Sequence, residues 1–587
     1  MQVSYKNKLL ERFLTVICIA TGAVVIVVFA LLFGLREPLI PAGVLFGALY
    51  ATLFIFLAEK VFRLLNAVWF REFWRANWYE APLLVGLVAA FVVAHGHEQG
   101  QAIRHTAAGV YVVLQVIIKV CKTSVRMAAT GRNPTKTLIA SFVVLILTGT
   151  GVLMLPKSAA TERIGFVDAL FTATSATCVT GLIVKDTGRD FSVMGQLTIL
   201  TLIQLGGLGI VIFGAVFALL LGQVLGIRES AAMQDILSEQ TLGRISRMIA
   251  FIFVVTVLIE ALGAVSMLGM WEDVPGRVTS IQRQWYISIF HSVSSFCNAG
   301  FCLFSDSMIG YNRNWGVYVV MCPLIILGGL GFSVLYDLVA VAMGKIGVVL
   351  KKGFAAPTLF AGGFAKGMQL QSKIVLLTSF FLLSLGFISI LVFERFIGSG
   401  KWDIGGAFFQ SVTARTAGFN TVHIASLSAS SKLVLMMLMF IGGSPGGTAG
   451  GIKTVTIAVV AMAAVATLRK RGEVQAFRRS VGLFIVRRAI TVTLLFMVIL
   501  FGAGLVLSVT ERGGGFTLMD IMFETGSALG TVGLTAGITP ALTMVGKLII
   551  IVVMFVGRLG PLTLLAAMTF NLRPARYSYP EEVVIVG

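Results

Sequence analysis

Charge is scarce in this chain. Only 12% of its 587 residues are Asp, Glu, Lys or Arg, where soluble domains carry about 25%, and that excludes an ordinary water-soluble fold. Acidic residues are the rarer sign, 26 against 46 basic ones, and no cluster of catalytic carboxylates stands out. Five histidines and six cysteines fall into no metal-ligand spacing. No His/Glu zinc motif or nucleotide-binding loop is present, so a membrane-embedded enzyme is disfavoured. What is abundant is apolar sequence, 57% of residues. Many runs reach the roughly 20 residues that cross a bilayer as a helix, and runs of that length argue against a β-barrel. The class is an all-α polytopic membrane protein. The first run follows Lys6, Lys8 and Arg12 without a convincing cleavage site and reads as a true span rather than a signal peptide. The net charge of +20 is compatible with nucleic acid, but the basic residues collect in short loops between spans, which is the positive-inside pattern.

One stretch organises the rest. Phe171 to Leu182 begins with Phe, carries Gly ten residues on, and ends in Leu. The same frame returns at Phe290–Phe301, Phe408–Phe419 and Phe523–Leu534. Its glycines, Gly181, Gly300, Gly418 and Gly533, lie 119, 118 and 115 residues apart by subtraction. Four copies at near-constant spacing form a long internal repeat.

Taken in order, residues 1–135 hold extra N-terminal spans, near 13–34 and 38–58, and basic loops. Shorter apolar runs at 80–95 and 107–120 read as short spans or a re-entrant hairpin. The loop between them carries His95, His97 and His105, read as solvated rather than metal-binding. Repeat 1 covers 136–247, repeat 2 covers 248–372, repeat 3 covers 373–488, and repeat 4 with the tail covers 489–587. First spans are expected near 137–155, 248–270, 374–394 and 489–509; second spans near 196–222, 316–343, 431–467 and 546–569. The linker Arg228–Arg247 is expected to be amphipathic. Basic linkers follow at Lys345–Lys366 and, most strongly, at Arg469–Arg488. Each repeat is span, half-buried hairpin, span. Two crossings return the chain to its starting side, so the repeats run parallel about an axis along the membrane normal, where three crossings would have inverted them. The fold expected is four such units around a pseudo-fourfold pore, with the N-terminus cytoplasmic.

The first half of each hairpin, such as Asp168–Ala176, is too short to span but long enough for a half-helix. The second half must be non-helical. Irregular backbone at membrane depth survives only where it lines water or is buried in protein. Glycine there lets carbonyl oxygens face the axis without a side chain in the way. Four segments supply the ion-binding filter: Thr177, Cys178, Val179, Thr180 and Gly181; Phe296, Cys297, Asn298, Ala299 and Gly300; Ala414, Arg415, Thr416, Ala417 and Gly418; Leu529, Gly530, Thr531, Val532 and Gly533. Rings of carbonyls can replace an ion's hydration shell, and half-helix C-termini add negative dipole ends. Both favour a dehydrated monovalent cation, with no acidic ring at the aligned positions. The competing reading, glycine for close helix packing, does not explain one Gly at the same register four times. A disulfide between Cys297 and Cys302 is disfavoured against two free, buried thiols.

The pattern, with Val-Thr-Gly-Leu-Ile-Val-Lys-Asp at 179–186, Arg-Thr-Ala-Gly-Phe-Asn-Thr at 415–421 and Gly-Gly-Ser-Pro-Gly-Gly-Thr-Ala-Gly-Gly-Ile-Lys-Thr at 442–454, resembles the TrkH/TrkG/KtrB family of potassium-translocating membrane subunits over about 137–570. The resemblance implies potassium as the ion at the filter carbonyls and no cofactor. In that family Gly at all four filter positions goes with potassium, while some plant relatives with Ser at the first position favour sodium; Gly181 occupies it here. It also implies a homodimer, a cytoplasmic nucleotide-binding regulatory ring as partner, and placement in the cell inner membrane. The alternative on the same scaffold is a sodium or poorly selective monovalent cation transporter.

Each second span carries its own glycines, at Gly206–Gly209, Gly328–Gly331, Gly442–Gly446 and Gly557–Gly560. In the third, Gly442, Gly443, Gly446, Gly447, Gly450 and Gly451 surround Ser444, Pro445, Thr448 and Ala449. At about 1 kcal/mol per Gly and about 3 per Pro, no helix persists there. The resemblance implies an intramembrane gating loop, with Lys453 anchoring it. Arg558 aligns with Gly207, Gly329 and Gly443. A lone Arg at mid-membrane must have interior partners, so it either faces the pathway as part of the gate or caps loop carbonyls, and the two roles are compatible. Arg415 and Glu524 are expected to pair behind the filter, since an unpaired buried charge is costly. Glu260 is expected to pair in the interior, with ion coupling as the alternative.

Overall fold

A computed structural model describes residues 6–35, 40–95, 100–130, 134–209, 245–273, 278, 280–349, 368–398 and 404–568. Among them, five helices are long and apolar enough to cross a membrane: Leu9–Leu32, Ala42–Asn66, Arg247–Ser266, Leu370–Phe396 and Leu483–Thr510. The first two pack with Glu80–Val93 and Gly100–Thr130 around Val25, Leu49, Phe56, Ala108 and Val112. The apolar run at 107–120 is thus only the middle of a 31-residue helix. Its polar start, Gln101 to His105, and its basic continuation past Lys119 hide the true length from an apolar-run count. His105 stacks on Phe46 at 3.8 Å and its Nδ1 lies 2.9 Å from the Tyr50 hydroxyl. Among the described residues no three His, Cys, Asp or Glu side chains gather as metal ligands; His97 lies outside the described residues.

From Pro134 the same order of elements occurs four times. First come Pro134–Leu153, Ile245–Ser266, Leu370–Phe396 and Leu483–Thr510. Short buried helices follow: Phe166–Thr177, Ile281–Phe296, Ile404–Thr413 and Leu518–Gly530. A non-helical limb then leads to the second span. These second spans begin where a hydroxyl can cap them. Ser192, Ser428 and Thr543 accept from the backbone N–H of Gly195, Ser431 and Gly546, satisfying a donor that the first turn would otherwise leave open. Glu394 and Glu511, at the ends of the first spans, accept from the Ser428 and Thr543 backbone N–H groups at 3.0 Å each.

Val193–Leu208, Cys322–Leu330 and Met544–Leu559 each end at a glycine with positive φ: Gly209 at 82°, Gly331 at 87° and Gly560 at 83°. The single span expected near 316–343 is therefore corrected. Val317–Leu330 and Phe332–Lys345 meet at 103°, because Gly331 takes a left-handed conformation that a helix cannot contain. In the third unit, helix Ala429–Phe440 is followed by thirteen non-helical residues before Thr454–Leu468. The basic stretch Arg469–Arg488 contains an antiparallel hairpin, Val474–Ala476 with Arg479–Val481. Residues 228–244 of the Arg228–Arg247 linker lie outside the described residues, as do Lys351, Lys352, Lys366 and the tail from Arg573.

Near the start of each second span, a side chain meets the short helix of the following unit. The Tyr286 hydroxyl donates to Gln196 Oε1 at 2.8 Å. Tyr318 packs so closely on Gly405 that a Cβ there would lie 2.9 Å from its ring. Lys432 faces Asp520 at 4.0 Å, and Lys547 Nζ meets Asp168 Oδ1 at 2.8 Å. The last contact ties the fourth unit to the first. Both members of the Lys547–Asp168 pair are mostly shielded, with 16% and 22% exposed, so its loss should cost about 1–3 kcal/mol, between surface and buried pairs. Asp168→Asn is expected to lower the thermal midpoint of the purified protein by several degrees, and the swap Asp168→Lys with Lys547→Asp to recover part of it. Equal midpoints for the single and double variants would show that the pair contributes nothing.

Candidate functional site

The four limbs repeat one another residue by residue in backbone conformation. Two positions before each glycine the chain is left-handed: Val179 at φ 56°, Asn298 at 57°, Thr416 at 79° and Thr531 at 50°. The glycines follow at 90°, 70°, 82° and 92°. Non-glycine residues enter this region at a cost, so four of them at one register mark a constrained backbone. The sequence hid this, because Val and Thr are poor left-handed residues and only Asn298 is of a favoured type.

Hydroxyls on the short helices hold the limbs. Ser175 Oγ accepts from Gly181 N and Ser527 Oγ from Gly533 N, both at 3.1 Å. Ser294 Oγ donates to Phe301 O at 2.8 Å and Thr413 Oγ1 to Phe419 O at 2.6 Å. Sequence reading missed these four, although Ser six residues before the glycine in three of the copies was a usable signal. A second brace joins residues nine before and two after the glycine. His291 Nε2 lies 3.2 Å from Cys302 Sγ, and Glu524 Oε2 accepts from Thr535 Oγ1 at 2.8 Å. Cys297 and Cys302 are not joined by a disulfide.

The glycines pack against one another in a circuit. A Cβ on Gly181 would lie 2.5 Å from Ala299 O, one on Gly300 2.8 Å from Ala417 O, one on Gly418 2.4 Å from Val532 O, and one on Gly533 2.2 Å from Thr180 O. The carbonyl preceding each glycine thus lies against the glycine of the neighbouring unit, and the fourth contact returns to the first. Among the described residues, the hydroxyls of Thr177, Thr180, Thr416 and Thr531 are buried beside this circuit without a protein hydrogen-bond partner.

Below it lies the chain 441–453. Ser444 N donates to Gly329 O at 2.9 Å and Thr448 N to Gly328 O at 3.3 Å, tying this stretch to the second unit. On the far side, a Cβ on Gly450 would lie 1.9 Å from Thr531 Oγ1 of the fourth unit. Lys453 Nζ donates to Ala449 O at 2.7 Å. Arg558 donates to Thr448 O, to Gly206 O at 2.6 Å and to Gly207 O at 3.2 Å. It joins the fourth unit to the loop of the third and to the first.

The expected pair of Arg415 and Glu524 is absent. Glu524 accepts from the hydroxyls of Thr535 and Thr539, which satisfy the carboxylate locally. Arg415 turns behind its limb, where Ser379 O, Ser379 Oγ and Gly442 O accept from its guanidinium at 3.4 Å each. Its backbone belongs to the limb, but its side chain braces the start of the 441–453 stretch. Glu260 accepts from Gln204 Nε2 at 3.1 Å, with Cys297 Sγ 3.9 Å from its other oxygen; these interior partners are polar rather than basic.

The sequence profile of the TrkH family, described as a cation transport protein, matches residues 100–575. The chain is 36% identical over 460 residues to the Ktr system potassium uptake protein B of Bacillus subtilis, spanning 78% of this chain and 97% of that protein. It is 35% identical over 464 residues to the potassium/sodium uptake protein NtpJ of Enterococcus hirae, spanning 78% and 97%. The crystal structure of the potassium transporter TrkH from Vibrio parahaemolyticus superposes with a TM-score of 0.59 at 18% identity, covering 85% of this chain and 99% of that one. With its apolar helices, its four glycine limbs and these matches, the chain belongs to the TrkH family of cation transport proteins.

Proposed function

We propose that this chain mediates potassium uptake across the cytoplasmic membrane. The path runs along the axis of four parallel units with pseudo-fourfold symmetry. The observation that carries this is the circuit of glycines, each left-handed and each packed on the carbonyl preceding the next unit's glycine. Such a ring presents oxygen without a charged side chain, which suits a dehydrated monovalent cation. The orphaned hydroxyls of Thr177, Thr180, Thr416 and Thr531 offer further oxygen ligands of the same kind. Residues 442–451 with Lys453 and Arg558 form the gate. The membrane potential supplies the force, about 2.3 kcal/mol per charge per 100 mV.

Control by a cytoplasmic nucleotide-binding ring and assembly as a homodimer are part of the same reading. Arg478 and Arg479 lie exposed on the 474–481 hairpin, a basic surface suited to an acidic cytoplasmic partner. A second reading, transport of both potassium and sodium, is favoured by the similarity to a relative named for both ions. Rubidium uptake into proteoliposomes, driven by an imposed potential and challenged with sodium or unlabelled potassium, tests the pair. Block by potassium alone supports the first reading. Equal block by both ions supports the second, and uptake indifferent to either would sink both.

A further inference from the structure

A hydroxyl of the 441–453 stretch meets the second limb. Thr448 is fully buried in the middle of the 441–453 stretch. Its Oγ1 donates to Phe296 O, the C-terminal residue of the second unit's short helix, at 3.1 Å. The same oxygen lies 3.1 Å from the side-chain amide of Asn298. Asn298 is the left-handed residue two before Gly300. In the amide orientation that satisfies its neighbours, it donates to Ile325 O at 3.2 Å and accepts from Gly329 N and from the Thr448 hydroxyl at 3.1 Å each, the hydroxyl then donating to Asn298 in place of Phe296 O. Its side chain is therefore held between the helix Cys322–Leu330 and Thr448 of the 441–453 stretch. Meanwhile Arg558 holds Thr448 through a different atom, the backbone carbonyl. The side chain of Thr448 thus serves the filter and its main chain serves the gate.

We infer that Thr448 is a specificity-determining positioning residue. Through its hydroxyl it sets the conformation of Asn298 and the limb leading to Gly300, and so the fit of the inner filter to the ion. This rests on the reading of the glycine circuit as the ion path. Two consequences follow from the geometry. Ion discrimination depends on a residue that lines no carbonyl ring. Displacement of the loop, by withdrawing Thr448, loosens the second limb while leaving the limb of the first unit braced by Ser175.

The test separates hydroxyl from shape. Thr448→Val keeps the volume and the carbonyl that Arg558 uses; Thr448→Ser keeps the hydroxyl. In proteoliposomes the Val variant is expected to raise the potassium concentration for half-maximal rubidium uptake and the potency of sodium block about fivefold, the equivalent of one buried hydrogen bond. The Ser variant should stay within about twofold of the parent, since it retains that bond. Stabilisation of the purified protein by potassium against sodium, read as a thermal shift, should move in parallel without requiring flux. Wild-type discrimination in Thr448→Val, alongside lost discrimination in Gly181→Ser, would overturn the inference and leave the ion path standing. Unchanged discrimination in Gly181→Ser would remove the path itself. If Thr448→Val and Thr448→Ala aggregate while Thr448→Ser is monodisperse with unaltered affinities, the hydroxyl serves folding and the inference falls.

Discussion

Gly181→Ser is expected to lower potassium flux and sodium exclusion together, by about ten- to a hundredfold. Two costs add at this position. Gly181 has φ 90°, and a side chain forced into sparsely populated backbone territory costs about 1–3 kcal/mol. Its new Cβ would also lie 2.5 Å from Ala299 O and 3.1 Å from Gly300 Cα, so the neighbouring limb must shift. About 1.4 kcal/mol corresponds to a factor of ten, and a limb that relaxes by distorting its carbonyls loses that factor where ions are distinguished. Gly269→Ala isolates the first cost. Gly269 has φ 84°, yet a Cβ there would meet nothing within 4 Å. It is expected to reduce stability slightly and to leave discrimination unchanged. Rubidium uptake under sodium competition distinguishes the two. Equal discrimination in Gly181→Ser and the parent would return the circuit to a packing role.

The register of the four glycines was legible in the sequence because a repeat multiplies a weak motif. Orientation was not. Arg415 and Glu524 seemed natural partners as opposite charges in consecutive copies. Nothing in their spacing reveals that Thr535 and Thr539 fold back over the carboxylate first. The helix ends at Gly209, Gly331 and Gly560 leave little trace in the sequence for an energetic reason. Each Gly costs a helix only about 1 kcal/mol, so only the glycine-dense third unit demanded a break. What ends the other three is a positive-φ glycine, packed tightly only at Gly331, where a Cβ would lie 2.6 Å from Pro445 O; one on Gly209 would meet nothing within 4 Å. The 474–481 hairpin had no local signal either. Its turn places Phe477 and Arg478 at φ 50° and 62°, where a hairpin ordinarily uses Asn or Gly.

Arg558→Ala is expected to act on rate where Gly181→Ser acts on discrimination. The first and third units lie on either side of the fourth, and Arg558 donates to carbonyls of both. On the proposed reading of the glycine circuit as the ion path, its guanidinium sits on the inner side of the ring, against the loop. A cation passing at about 5 Å meets a repulsion of about 3 kcal/mol at an effective dielectric constant near 20, a factor of about a hundred in rate. The same side chain latches the loop through Thr448 O. Its removal should lower the barrier and loosen the loop only where Arg558 held it, so uptake rises, while the bonds from Ser444 N and Thr448 N to Gly329 O and Gly328 O keep Thr448 in place against Asn298 and sodium exclusion intact. Arg558→Lys keeps the charge but not the planar fork that reaches three carbonyls, and should fall between parent and Ala. Uptake that drops in Arg558→Ala with monodisperse protein would mean the carbonyl contacts hold the path open. Uptake that is unchanged would place Arg558 outside the gate.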